Sequence, residues 1–196
     1  MAKLYFKYGA MGSSKTATAL ITKYNYEERG MRVWLIKPAA DRRDGEFTLR
    51  SRIGLTAQCE AIGPECDLRE RYAAHGRADV IIVDECQFLT GQQIDQLREL
   101  VDRENLPVLC FGLRTDFLTH FFPGARRLME LADSITEIKT VCACGRKATV
   151  NARIDGTGRV ITEGGQILLG GNDSYVAMCH KCWIRNIREH RKVKNR

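Results

Sequence analysis

Over the first 138 residues, short apolar runs alternate with stretches of helical periodicity. The runs at residues 3–8, 32–36, 56–61, 80–83, 108–111 and 134–138 are strand-length and mostly uncharged, which predicts buried strands. Residues 16–28, 67–74, 90–102 and 123–132 predict helices between several of them. In the third of these, Ile94, Leu97 and Val101 recur at helical spacing, while Thr90 and Gln93 have the form of a capping box. Short apolar strands alternating with helices predict an α/β fold, a mostly parallel sheet with helices on both faces.

The texture changes after Lys139. Gly and Asp become frequent (Asp155, Gly156, Gly158, Gly164, Gly165, Gly170, Gly171), and the stretch is bracketed by two cysteine pairs. Three units are therefore expected: an α/β domain over residues 1–138, a small module over 139–184, and a basic tail over 185–196. So small a module needs a staple to hold together.

With 196 residues, the chain can bury one substantial core and carry a small appendage. No apolar run is long enough for a membrane span, and MAKLYFKYGA has no signal-like apolar stretch, so a cytoplasmic protein with no membrane partner is expected. The net charge is +7, but Arg185, Arg188, Arg191, Lys192, Lys194 and Arg196 face a single Glu189 near the end. Such a run reads as a solvated or frayed tail. The remaining excess suits an anionic small molecule as well as it suits nucleic acid.

The stretch Gly9, Ala10, Met11, Gly12, Ser13, Ser14, Lys15, Thr16 follows the first strand and opens the first helix. It is one residue short of the P-loop pattern, with Ser14 where the second glycine belongs. In that setting backbone N–H groups curl around an anion at a helix N-terminus. Lys15 would reach the β- and γ-phosphates and the Thr16 hydroxyl would hold Mg²⁺. Asp84 and Glu85 close the apolar strand at 80–83, where an open α/β sheet places its ligand crevice. Asp84 suits the second Mg²⁺ position, and Glu85 can accept a proton from an attacking hydroxyl or water. A pair of solvated acids capping a strand end is the alternative.

The eight cysteines divide evenly. Cys59, Cys86 and Cys110 lie in or beside apolar runs and read as small buried hydrophobes; Cys66 is the fourth scattered one. Cys142/Cys144 and Cys179/Cys182 form two hooks that can supply four thiolates to a structural Zn²⁺. A redox dithiol is the rival, without thioredoxin-like surroundings. His180 could replace a cysteine, but its spacing to Cys182 is poor. The glycine-rich stretch at 167–175 is either a loop walling a flat apolar ligand with Leu168, Leu169 and Tyr175, or a hairpin tip beside the metal.

These motifs occur in a distinctive order: the P-loop, KPAADRR at 37–43, SRIGL at 51–55, DECQF at 84–88, GLRTDF at 112–117, FPG at 122–124, IKTVC at 138–142, and GGNDSYVAMCHKCW at 170–183. In that order, over residues 3–184, the chain resembles the thymidine kinases of the bacterial and cytosolic type. The resemblance implies a P-loop, RecA-like sheet with a zinc-ribbon-like appendage. It also implies transfer of the γ-phosphoryl group of ATP to the 5′-hydroxyl of thymidine.

Glu85 is then the catalytic base. Asp41, Arg43, Asp84, Cys86 and Gln87 join the P-loop on the ATP side, Arg43 as a phosphate-side helper. Met11, Phe117 and Tyr175 line the nucleoside. A loop at Gln166, Ile167, Leu168, Leu169 and Gly170 holds thymine largely through its backbone. Cys142, Cys144, Cys179 and Cys182 are the zinc ligands. A homotetramer, inhibition by dTTP in the substrate site, and no nucleic-acid partner complete the expectation.

Ser14 departs from the pattern. If its position requires a glycine-like conformation, a serine there costs on the order of 1 kcal/mol, and weaker or slower use of ATP is expected. The C-x-C hook is shorter than the C-x-x-C of animal members and places the chain beside bacterial ones.

Two other readings compete. A nucleic-acid-dependent P-loop ATPase with a zinc module would use Glu85 to orient water, but the chain is too short for two motor domains. A zinc-ribbon binding module with an inactive P-loop rests on Ser14 alone.

Overall fold

A computed structural model describes residues 1–166 and 174–194, with side chains through Glu189. Its centre is a six-stranded sheet built from β1 (Leu4–Tyr8), β2 (Val33–Pro38), β5 (Glu60–Ile62), β6 (Val80–Val83), β7 (Val108–Gly112) and β8 (Ser134–Glu137). The order is β5-β2-β6-β7-β1-β8, and every pairing is parallel. Parallel neighbours need crossovers, so the helices must lie on the faces of the sheet.

Helices α2 (Leu68–His75), α3 (Gly91–Glu104) and α4 (Pro123–Leu131) cover one face. There Leu68, Ile94, Leu97, Leu100, Val101 and Leu128 meet Phe6, Trp34, Ile81 and Val108 in one buried cluster. Helix α1 (Lys15–Glu27) covers the other, with Ala19 and Leu20 against Leu35, Ile82 and Phe111. Alternate residues of β6 thus feed opposite cores, and for this reason the strand is apolar throughout. The α/β fold with helices on both faces is the one expected. The capping box opening α3 also forms: Gln93 N donates to Thr90 Oγ1 and Thr90 N to Gln93 Oε1, both at 3.1 Å.

The single strand expected over 56–61 divides in two. Thr56–Gln58 is β4, paired antiparallel with β3 (Thr48–Arg50) in a hairpin, whereas β5 belongs to the main sheet. Cys59, between them, packs into the α1-side core. Periodicity cannot register that change of partner.

Beyond the sheet, β9 (Val150–Arg153) and β10 (Tyr175–Met178) form an antiparallel ribbon. Helix α5 (His180–Lys194) leaves from the second cysteine hook. Residues 185–194, read from their charge as part of a solvated or frayed tail, therefore continue a helix that begins inside the hook. No helix among the described residues is long and apolar enough to cross a membrane.

Candidate active site

The C-terminal ends of β1 and β6 carry the two chemical motifs side by side. Gly9 is required where it stands: a Cβ would collide with the Ile138 carbonyl and the Ser13 side chain. The loop then turns through Gly12 (φ 74°) and Ser14 (φ 61°) into α1. Ser14 does adopt the left-handed conformation that glycine favours, so the departure from the pattern carries the strain foreseen for it.

Lys15 is buried and donates from Nζ to Ala10 O at 2.9 Å. Burial holds its ammonium below the ordinary lysine range, against the pull of Glu85 and then Asp84. Thr16 Oγ1 donates to Asp84 Oδ2 at 2.8 Å, which joins the two motifs. The other oxygen of Asp84, Oδ1, is buried without a hydrogen-bond partner among the described residues. An orphaned buried carboxylate oxygen is costly unless a proton or cation meets it. Burial, and then the charge of Glu85, push this carboxyl up to about 7.

Glu85 is the second left-handed non-glycine residue of the site (φ 50°), the hinge between β6 and a single 3₁₀ turn at Cys86–Phe88. Its carboxylate is held on both oxygens, Oε1 by Arg43 Nη2 and Oε2 by Gln87 Nε2. Burial alone would raise its pKa. The Arg43 guanidinium and then the Lys15 ammonium outweigh that and hold it below the usual carboxylate range. An ionised base therefore faces the cavity at neutral pH. Gln87 is fixed in turn, since its Oε1 accepts from Leu113 N at 2.9 Å.

Arg43 also donates from Nε to Asp41 Oδ1 at 2.6 Å. The sequence places it on the phosphate side; here it bridges Asp41 and Glu85. Asp41 is anchored by Lys37, whose fully buried ammonium donates to Gly45 O (2.7 Å) and Thr48 O (3.0 Å) and lies 3.9 Å from Asp41 Oδ2.

Lys15, Thr16, Asp41, Arg43, Asp84, Glu85 and Gln87 line a cavity of about 640 Å³. Met11, Phe117, Gln166 and Tyr175 line it as well, with Asn151 and Asp116. Cys86, expected on the ATP side, is instead fully buried in the core below. Gly9, Ala10 and Ser13 form the base of the loop. Ile167, Leu168, Leu169 and Gly170 lie outside the described residues.

Four polar residues to which sequence reasoning gave no role hold the walls of the cavity together. Asn151 Oδ1 accepts from Met11 N (2.8 Å) and its Nδ2 donates to Thr115 O (3.0 Å), which ties β9 to the P-loop. Asp116 accepts from Leu118 N and His120 N, and from Gln166 Nε2, each at 2.9 Å. Arg153 and Lys37 complete the set. Only an asparagine, a residue disfavoured in strands, between Val150 and Ala152 could have pointed to this position.

The four paired cysteines converge, their sulfur atoms all within 4.8 Å of one another. Cys144 and Cys179 sulfurs stand 3.6 Å apart. That is too far for a disulfide and close to the ~3.8 Å edge of a tetrahedron with metal–sulfur bonds of about 2.3 Å. Backbone N–H donation, from Cys144 to Cys142 and from Cys182 to Cys179, draws both thiols below their ordinary range, Cys179 to about 6. The cluster can hold a metal ion.

The parallel sheet, the loop ending in Lys15–Thr16, and a carboxylate pair two strands away, across β7, define a P-loop α/β protein with a cavity beside its phosphate corner. The thymidine kinase family model matches residues 2–183. A thymidine kinase of Yersinia pseudotuberculosis is 45% identical over 184 residues, 92% of this chain and 94% of that protein. One of Legionella pneumophila is 47% identical over 183 residues (91% and 88%), and one of Rhizobium meliloti 43% over 194 (96% and 100%). The chain belongs to the thymidine kinase family.

Proposed function

We propose that this protein transfers the γ-phosphoryl group of ATP to the 5′-hydroxyl of thymidine, yielding dTMP and ADP. The observation that carries the reading is that Glu85, kept ionised by Arg43 and Lys15, lines the same cavity as Lys15 and Thr16 of the P-loop and as Phe117 and Tyr175. ATP docks its phosphates on the loop from Gly9 to Thr16, where backbone N–H groups and Lys15 take the negative charge. Thymidine enters the opposite end, between Met11, Phe117, Gln166 and Tyr175. Glu85 accepts the 5′-hydroxyl proton as the nucleoside oxygen bonds to the γ-phosphorus and the bond to the ADP oxygen breaks. Arg43 and Gln87 keep that carboxylate oriented. Little covalent work is asked of the protein; the gain comes from positioning and charge.

Thr16 and Asp84 would hold Mg²⁺, and the orphaned Oδ1 fits that role. The ion supplies neutralisation of charge on the transferring phosphates. Cys142, Cys144, Cys179 and Cys182 would hold a structural Zn²⁺ that fastens the foot of the β9–β10 ribbon. A cytoplasmic homotetramer inhibited by dTTP belongs to the same reading.

The test is an assay of the purified protein with ATP and a panel of nucleosides. Formation of dTMP is expected. Hydrolysis of ATP stimulated by DNA, with no nucleoside phosphorylated, would replace this reading with that of a nucleic-acid-dependent ATPase.

A further inference from the structure

Arg153 ends β9 almost fully buried, at 4% exposure, and does not itself line the cavity. Its guanidinium makes four hydrogen bonds to three residues. Nε and Nη2 donate to the Tyr175 hydroxyl at 2.9 and 2.6 Å, Nη1 to Gly165 O at 3.0 Å, and Nη2 to Gln166 O at 3.4 Å. The guanidinium carbon also stands 3.8 Å from the centroid of the Phe117 ring.

Burying a guanidinium is expensive unless its donors are met and its face is covered. Here the acceptors are two backbone carbonyls and a phenol, and the cover is an aromatic ring. Each of these partners either lines the nucleoside end of the cavity or adjoins a residue that does. Phe117, Gln166 and Tyr175 line it directly, and Gly165 precedes Gln166. The three come from separate parts of the chain, and the ladder hydrogen bonds join only Tyr175 to β9. Gln166 has one further tie, through its side chain to Asp116 and the Phe121 carbonyl.

We propose that Arg153 is a positioning residue that orders the acceptor-binding wall of this cavity. Its guanidinium fastens Gln166 to Tyr175 and backs the Phe117 ring, so that the three meet the nucleoside in one fixed arrangement. The inference rests on the nucleoside-kinase reading above. A lysine cannot substitute, because a single ammonium cannot both stack on Phe117 and reach a hydroxyl and two carbonyls in one plane.

Steady-state kinetics of Arg153→Gln, Arg153→Lys and Tyr175→Phe, with zinc content and amide exchange of residues 161–166 and 174–178, test it. In Arg153→Gln the KM for thymidine should rise at least about tenfold while that for ATP stays within about twofold. Zinc should be retained and exchange in both segments accelerated. Arg153→Lys should recover less than half of the loss on a logarithmic scale. Tyr175→Phe, which removes the acceptor of two of the four bonds, should raise the same KM about threefold or more.

An unchanged thymidine KM in both Arg153→Gln and Tyr175→Phe overturns the proposal. So does a parallel rise in both KM values with loss of zinc, the mark of a merely structural role. If Arg153→Gln fails to fold, amide exchange of residues 161–166 in Tyr175→Phe decides, because the Tyr175 hydroxyl is linked to Gly165 and Gln166 through Arg153; unchanged exchange there overturns the proposal. If the wild-type protein phosphorylates no nucleoside, the functional reading fails instead, and unchanged amide exchange in Tyr175→Phe still overturns the fastening role of Arg153.

Discussion

The two ends of the cavity are built by different means. The phosphate end is made of short contiguous motifs at strand ends: Gly9 to Thr16 after β1, and Asp84 with Glu85 after β6. The nucleoside end is assembled from segments far apart in the chain, joined by Asn151 to Met11, Gln166 to Asp116 and Arg153 to Tyr175. Both carry left-handed non-glycine residues, Ser14 and Glu85 at the first and Thr119, in the turn capped by Asp116, at the second. The second adds ties between separate segments through buried polar side chains whose partners are met. Chemistry that needs fixed charges thus sits on the rigid sheet, and recognition sits on a wall tied by hydrogen bonds.

Removing the base should separate the two ends most sharply. Glu85→Gln keeps the size and hydrogen-bonding reach of the side chain but cannot take the proton. The kcat should fall about 10²–10⁴-fold while nucleotide binding, followed by titration calorimetry, persists. Equal loss of binding and rate would mean that Glu85 builds the phosphate end instead of serving the reaction.

At the other end, Cys142→Ser removes one of four converging thiolates. Metal analysis should find about one zinc per chain in the wild type and markedly less in the variant. The KM for thymidine should rise more than that for ATP. A metal-free wild-type protein that folds would remove the staple from the argument.

Asp84→Asn weighs stability against function. The folded pKa of Asp84, about 7, lies above its unfolded value of 3.8. A carboxyl shifted upward favours the folded state below the unfolded value, and that contribution is lost as pH rises through the folded one. The nucleotide-free protein should therefore lose stability between about pH 4 and 7 from this group. The asparagine variant should melt higher than the wild type at pH 8, while losing activity. A lower melting point at pH 8 would show that Asp84 stabilises the fold as well as the site.

The smallest effect is expected at Ser14. Ser14→Gly relieves a left-handed serine and should add about 1 kcal/mol in urea unfolding, with a modest fall in the KM for ATP. No change in either would mean that the loop bears the serine without cost.

Legibility in the sequence follows the same division. The parallel sheet could be read because buried strands such as β6 are apolar on every residue and helices such as α3 repeat at their own period. The P-loop, the Asp84–Glu85 pair and the cysteine hooks could be read because each is local, and its spacing is its chemistry. The division of 56–61 between a hairpin and the main sheet could not, since both partners accept the same short apolar pattern. Helix α5 was hidden by its charge, which resembles that of a solvated tail.

By itself, then, the sequence determined the class of fold, and it singled out the candidate phosphate loop, the candidate base and the candidate metal ligands, because contiguous residues bring their own geometry. Only the tertiary structure decided that Arg43 bridges Asp41 and Glu85, that Ser14 and Glu85 take left-handed conformations, that Asn151 joins Met11 to Thr115, and that Arg153 joins Gln166 to Tyr175. Those outcomes depend on which distant donor meets which acceptor once both are buried, and no local spacing encodes that meeting.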